Sequence, residues 1–104
     1  MGSEPYSVEL LPKAEKDLDD LRQFRDQAVR EILKLEQDLH LGHALKGSLR
    51  GARALEFNLK GGGAYRAVYI ILADDKICLI FLVGPHEGIY KKAERRFAAL
   101  HKTR

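Results

Sequence analysis

Apolar positions follow the period of β-strands through three consecutive segments in the second half of the chain. In Arg53–Lys60 every second side chain is apolar, and Tyr65–Leu72 and Ile77–Val83 are almost wholly apolar. Period-two alternation and short apolar runs predict strands. The glycines at 61–63 and the polar sequence at 73–76 are typical of hairpin turns. We therefore predict a three-stranded antiparallel meander. Its last strand should be central, because unbroken apolarity implies burial on both faces.

The first part of the chain combines one short strand with helical periodicity. Tyr6–Leu10 alternates and predicts a strand, and Pro12 suits the first turn of a helix. We expect Asp26 to be the N-cap of a second helix, whose apolar stripe runs to Leu39 and which Gly42 ends. Packed together, the two helices should form an antiparallel hairpin. Its acidic side chains are expected mostly on the solvated side: Asp17, Asp19, Asp20 and Asp38.

The final segment, from Gly88 to Leu100, has the pattern of an amphipathic helix. The predicted order is therefore an N-terminal strand, a helical hairpin, a three-stranded antiparallel meander and a C-terminal helix. Helices that are segregated from the strands along the chain indicate an α+β fold. A length of 104 residues suits one hydrophobic core, so residues 1–104 are expected to form a single domain.

Composition and charge narrow the environment and the class of partner. No apolar run reaches the ~18 residues of a membrane span, so no membrane partner is expected. Cys78 is the single cysteine, which excludes an internal disulfide and favours a cytoplasmic location. Residues 1–40 hold ten acidic and six basic residues, a balance of −4, whereas residues 41–104 hold five and twelve, a balance of +7. The basic part suggests a polyanion or an acidic protein as partner, or only a solvated surface.

Ionisable side chains gather near the ends of the predicted strands. Arg66 lies near the start of the middle strand of the meander, and His86, Glu87 and Tyr90 follow the last one. Glu56 projects from the polar face of the first. Such a group suits metal-free cleavage of a phosphodiester, which needs a base, an acid and cations, and it equally suits a docking surface. The sequence contains no Cys/His metal cluster, so we predict neither a metal nor a cofactor.

Four short motifs follow one another between about residues 6 and 100. They are Leu-Pro-x-Ala-x-x-Asp-Leu at Leu11–Leu18, Leu45-Lys46-Gly47, Tyr-Arg-x-x-Tyr at Tyr65–Tyr69, and Gly84, His86 and Tyr90 before a basic helix. In order and spacing they resemble the RelE/ParE superfamily of toxins from type II toxin–antitoxin systems. The resemblance implies a RelE-like fold, which is similar to that of microbial ribonucleases.

The resemblance also implies a toxin that a cognate antitoxin protein holds inactive. RelE-like members cut mRNA, often at the ribosome, whereas ParE-like members poison DNA gyrase without nuclease chemistry. Our first expectation is therefore a metal-free mRNA endoribonuclease acting at the ribosome. The alternatives are a non-catalytic gyrase inhibitor and a catalytically weakened module that only binds its antitoxin.

Matching positions in the family suggest a role for each residue of the strand-end group. Arg66 corresponds to the strand arginine and would bind phosphate, with a structural cation as the alternative. His86 would act as acid or base near neutral pH, or else bond backbone or antitoxin. Tyr90 would orient the RNA or pack under the helix. Glu56 or Glu87 would assist as a general base, or pair with Arg66.

Basic side chains outside this group are expected to contact the RNA backbone, an acidic antitoxin or only solvent. They lie in the loop before the meander, around its first hairpin and on the last helix: Lys46, Arg50, Arg53, Lys60, Lys91, Lys92, Arg95 and Arg96. The segment Pro85–Gly88 departs from the nuclease pattern. It lacks the second arginine or lysine that active members often carry beside the His86 position, which keeps the non-nuclease alternatives open.

Overall fold

A five-stranded mixed sheet forms the centre of the protein, for which a computed structural model describes residues 6–102 and the side chains up to Leu100. The strands are β1 (Ser7–Leu10), β2 (His43–Ala44), β3 (Arg53–Leu59), β4 (Gly63–Leu72) and β5 (Ile77–Pro85). Their order across the sheet is β1-β5-β4-β3-β2. The antiparallel pairs β3–β4 and β4–β5 confirm the predicted meander. β1 pairs with β5 in parallel.

The apolar strand β5 is interior, as its composition predicted. It is hydrogen-bonded to β1 on one side and to β4 on the other, and Ile80, Phe81 and Leu82 are almost completely buried. The middle position of the sheet belongs to β4, however. Strand β4 therefore has one meander strand on each side, and a side chain on it is enclosed by neighbours from both.

Helices cover both faces of this sheet. They are α1 (Pro12–Asp19), α2 (Arg25–Leu33) and α3 (Ile89–Lys102). The first two pack on one face, over a core that includes Leu18, Ile32 and Phe57. Helix α3 packs on the other face, against Val68 and Phe81. We call these the α1/α2 face and the α3 face. None of these helices, over the part of the chain that is described, is long and apolar enough to cross a membrane.

Both predicted ends of the second helix were wrong. A 3₁₀ turn at Arg22–Phe24 continues directly into α2, so Asp26 lies in the first helical turn and is not the N-cap. The helix ends at Leu33, well before Gly42, and a second 3₁₀ turn follows at Lys34–Glu36. Tertiary bonds to Tyr69, described below, hold the next segment on the sheet. The same segment contains β2, which is too short to show any periodicity.

Asp17 also departs from expectation, although Asp19, Asp20 and Asp38 are exposed as predicted. The Asp17 side chain is 14% exposed and accepts hydrogen bonds from Arg96 Nη1 at 2.7 Å and Nη2 at 3.2 Å. It also accepts one from the Val83 backbone N–H at 3.0 Å. Arg96 Nη1 donates further to the Phe81 carbonyl at 3.0 Å. This Asp17–Arg96 clamp joins α1 to α3 across β5, 79 residues apart in sequence.

Candidate functional site

Arg66 lies near the start of β4, the middle strand of the sheet, with its side chain on the α3 face. The register of the meander places Glu56 of β3 opposite it on one side and Gly84 of β5 opposite it on the other. Arg66 Nη2 donates a 2.5 Å hydrogen bond to Glu56 Oε2. The Arg66 side chain is 9% exposed, whereas that of Glu56 is 50% exposed. Among residues 6–100, Arg66 is the only charged residue that is almost completely buried. Arg66 is therefore not an ordinary surface residue.

Tyr90 completes the cover over this guanidinium. It is the second residue of α3, is partly buried, and its ring centroid lies 5.0 Å from Arg66 Cζ. A guanidinium at this distance is attracted to the ring face. Arg66 Nε is nevertheless buried and has no hydrogen-bond acceptor among the residues that the structure describes. Burying an N–H group without an acceptor costs folding free energy. An anion that accepted a hydrogen bond from Nε would relieve this cost, so the guanidinium still has a donor available for a ligand.

His86 lies beside this group, whereas Glu87 belongs to another part of the surface. The His86 backbone N–H donates to the Ala64 carbonyl at 3.0 Å, which extends the β4–β5 pairing by one residue. Ala64 precedes Arg66 by two strand residues, or about 7 Å. The His86 side chain is exposed. Glu87 instead lines an open pocket between β5, α1 and α3, and neither Arg66 nor Glu56 lines it.

The predicted RNA-binding cations lie in several places. Lys46 and Arg50 are exposed and flank the 3₁₀ turn Gly47–Leu49, which Ser48 ties to α3 by donating to Glu94 at 2.7 Å. Lys60 is exposed at the turn between β3 and β4. Lys46 and Arg50 precede β3 and Lys60 follows it, so these exposed cations lie towards the two ends of the strand that carries Glu56.

Basic residues on α3 point in different directions. Lys91 and Arg95 are exposed to solvent. Lys92 lines the pocket that also contains Glu87, Asp17 and Asp20, and Arg96 is committed to the Asp17–Arg96 clamp. Up to Leu100, the helix therefore exposes Lys91 and Arg95 to solvent and places Lys92 and Arg96 among carboxylates, where an RNA backbone would be repelled.

Arg53 lies on the opposite, α1/α2 face, because it shares the alternation of Leu55, Phe57 and Leu59. Its Nη2 donates to the Gly42 carbonyl at 2.6 Å. Beside it, the Tyr69 hydroxyl donates to the Leu39 carbonyl at 2.6 Å and accepts from the Gly42 N–H at 3.1 Å. Burial raises the pKa of Tyr69, and the nearby Arg53 offsets part of this effect. The pair fixes the chain after α2, and the structure does not bring Arg53 to the Arg66 group.

The sequence motifs located Arg66 and Tyr90 but did not indicate the role of Tyr69, Asp17 or Arg96. The last residue of Tyr-Arg-x-x-Tyr marks Tyr69, yet its partners lie about 30 residues earlier and carry no local signal. Among the side chains described, from Tyr6 to Leu100, no three His, Cys, Asp or Glu residues are grouped so that they could hold a metal ion. The site offers a guanidinium, a carboxylate, a phenol and, at its rim, an imidazole.

Comparisons with known proteins place this geometry in context. The family model for the ParE toxin of type II toxin–antitoxin systems matches residues 8–90. No protein among curated sequences matches the chain.

Solved structures give similar folds. The RelBE2 toxin–antitoxin complex of Mycobacterium tuberculosis shares 25% identity and a TM-score of 0.68, over 79% of this chain and 99% of that one. A double arginine-to-alanine mutant of Escherichia coli RelE, in its free state, is 17% identical with a TM-score of 0.69, and the match covers 86% of this chain and 93% of that one. A chain of the ParDE system of Pseudomonas aeruginosa is 19% identical with a TM-score of 0.52, and the match covers 82% of this chain and 100% of that one.

These matches agree with the sequence motifs and with the α+β architecture. The family model covers most of the chain, from β1 to the start of α3, and therefore includes Glu56, Arg66, His86 and Tyr90. The chain belongs to the RelE/ParE family of toxins from type II toxin–antitoxin systems.

Proposed function

We propose that the protein is a metal-free mRNA endoribonuclease that acts at the ribosome and is held inactive by a cognate antitoxin. The observation that carries this proposal is the state of Arg66. Its guanidinium is buried on the sheet, covered by Tyr90, bonded to a single carboxylate oxygen and left with an unpartnered Nε. A phosphate group has the charge and the acceptor oxygens that would satisfy it.

RNA cleavage without a metal proceeds by attack of the 2′-hydroxyl on the adjacent phosphorus. The P–O5′ bond breaks, leaving a 2′,3′-cyclic phosphate and a 5′-hydroxyl end. Arg66 would stabilise the charge that develops on the phosphate oxygens, and Tyr90 would orient the RNA. His86 would protonate the leaving 5′-oxygen. Glu56 is better placed than Glu87 to take the 2′-hydroxyl proton, because it is the carboxylate in contact with Arg66.

The exposed cations support a path for the RNA backbone and a surface for the antitoxin. Lys46 and Arg50 precede β3 and Lys60 follows it, and these exposed cations would contact phosphates on either side of the cut. Lys91 and Arg95 face solvent on α3 and suit an acidic antitoxin segment or ribosomal RNA. An antitoxin partner is further supported by the relatives from M. tuberculosis and P. aeruginosa, whose structures are described as toxin–antitoxin systems.

A second candidate is a ParE-like inhibitor that binds DNA gyrase without catalysis. Two observations favour it. The matching family model is that of ParE toxins. In addition, Glu56 offsets the charge of Arg66, and the segment Pro85–Gly88 supplies no second arginine or lysine, so the site has less positive charge than a phosphate-cleaving centre needs. In this case the same surface would only dock its target.

An expression pulse in bacteria tests the proposal. Messenger RNA 5′ ends are mapped after induction of the native protein, of Arg66→Ala and of His86→Ala. Because His86 is exposed, its substitution should leave folding intact, and His40→Ala is a matched control at an exposed histidine elsewhere. Thermal unfolding of each purified protein verifies that it folds.

New 5′ ends within coding regions, retained in His40→Ala and lost in the two site variants, would support the nuclease. Growth arrest without new ends, accompanied by signs of DNA damage, would contradict it and favour the gyrase inhibitor. Absence of growth arrest from the folded native protein would contradict both and favour a module that only binds its antitoxin.

A further inference from the structure

The two side chains of the Arg66–Glu56 ion pair differ in their exposure to solvent. Arg66 is fixed, since its side chain is 9% exposed and lies under the Tyr90 ring. Glu56 is half exposed and can turn into solvent without leaving a buried position. Its carboxylate would be hydrated at once, so the loss of one charge-assisted bond is largely compensated. The guanidinium has no such alternative.

The pairing is also incomplete. A guanidinium presents five N–H donors and prefers to bind an anion through two parallel hydrogen bonds. Here one bond, from Nη2, reaches one oxygen of Glu56, while Nε has no acceptor. The Glu56 carboxylate, which reaches from the neighbouring strand, therefore neutralises the charge of Arg66. It does not provide the two parallel hydrogen bonds that the guanidinium prefers. An RNA phosphodiester, whose two non-bridging oxygens can accept two parallel hydrogen bonds, could satisfy both once the carboxylate had moved.

We propose that Glu56 is a built-in gate of the Arg66 site. In the free protein its carboxylate occupies the guanidinium in place of a phosphate, and an incoming RNA phosphate must displace it. This inference rests on the phosphate-binding role proposed for Arg66 and adds a regulatory contact to it. Glu56 thereby lowers the affinity of the site for anions and protects a buried cation when no ligand is present.

Glutamine at position 56 should expose this competition, since it keeps the shape of the side chain but removes its charge. Arg66 then lacks its counter-ion, and a buried charge without a partner is costly. Added anions should relieve that cost and so bind more tightly. Anion binding that favours the native state should also raise the unfolding temperature.

Glu9→Gln provides a matched control. Glu9 is an exposed glutamate on β1, where Val8 and Leu10 pack against the α1/α2 core, so Glu9 lies on the same sheet face as Glu56. It pairs with Leu79 of β5, and Leu79 pairs with Ile70 of β4. Glu9 is therefore two strands and four residues away from Arg66. Both substitutions change the net charge by +1, so Glu9→Gln controls for the overall electrostatic attraction to RNA.

The first measurement is the affinity of each protein for an RNA oligonucleotide whose 2′-hydroxyls are methylated, which blocks attack on phosphorus. We expect Glu56→Gln to bind at least ~10-fold more tightly than the native protein, and Glu9→Gln to gain less than ~2-fold. Addition of Arg66→Gln to Glu56→Gln should abolish the gain. Equal gains in the two single variants, or a gain that survives in the double variant, would overturn the proposal.

The second measurement does not depend on the double variant folding. Unfolding temperatures are compared in inorganic phosphate and in chloride at matched ionic strength. Phosphate should raise the unfolding temperature of Glu56→Gln more than that of Glu9→Gln or the native protein. An identical response from all three would contradict the gate.

Neither measurement records RNA cleavage, so the gate is tested independently of the proposed nuclease activity. Tighter RNA binding by Glu56→Gln, together with no new mRNA 5′ ends after induction of the native protein, would uphold the gate and refute the nuclease. New 5′ ends with no gain would refute the gate and uphold the nuclease.

Discussion

Replacement of Asp17 by alanine removes an acceptor that three donors share. Both terminal nitrogens of Arg96 and the Val83 N–H lose their bonds to it, and the guanidinium keeps only the Phe81 carbonyl. The Arg96 side chain is 16% exposed, so water replaces the carboxylate poorly. Breaking a buried ion pair from one side costs about 3–5 kcal/mol. Because both side chains retain some exposure, we expect about 3 kcal/mol, which lowers the melting temperature by roughly 12 °C in a domain of this size.

Urea unfolding followed by circular dichroism measures this loss. Asp19→Ala is the control, because its partner Arg25 lies 2.9 Å away with both side chains well exposed, and such pairs contribute under about 1 kcal/mol. The double variant Asp17→Ala/Arg96→Met should be more stable than Asp17→Ala alone, since methionine removes the orphaned charge. Unfolding of Asp17→Ala and Asp19→Ala at the same urea concentration would show that the clamp contributes no more than an exposed ion pair.

Three further predictions concern the α1/α2 face. Tyr69→Phe loses the bonds to the Leu39 carbonyl and the Gly42 N–H, so urea unfolding should show a loss of about 2 kcal/mol. Gly42→Ala places a methyl group 2.7 Å from both the Ala54 carbonyl oxygen and the Tyr69 hydroxyl, and the same assay should show a loss of about 1–3 kcal/mol. Burial raises the pKa of Cys78 to about 12 from 9.0. Above about pH 9 the unfolded chain therefore releases a proton that the folded protein keeps. The contribution of the Cys78 thiol to the free energy of unfolding is complete below about pH 9 and declines as the pH rises toward 12. Cys78→Ala should therefore lose less stability than the native protein between pH 9 and pH 11.

The parts of the fold that local patterns encode were predictable. Strand alternation and turn residues gave the meander, and the motif around Arg66 gave the candidate site. The failures share a physical cause, which is that the deciding partner is distant in sequence. Asp17 looks like one more acidic residue on a helix until Arg96 is placed beside it. The end of α2 likewise depends on Tyr69, which binds the following segment. Burial of Arg66 required β4 to be the middle strand, and strand order does not follow from periodicity.

Helix α3 links the stability of the fold to the geometry of the site. Tyr90 near its start covers Arg66, and Arg96, six residues later, is held by Asp17. Six residues correspond to about 600° of rotation, so the two side chains project from different flanks of the helix. The Asp17–Arg96 clamp fixes one flank against α1 while Tyr90 leans over the sheet on the other. A loosened clamp would let α3 roll or lift, and the cover over Arg66 would open with it. The affinity of the Arg66 site for anions should therefore depend on a carboxylate that never touches it.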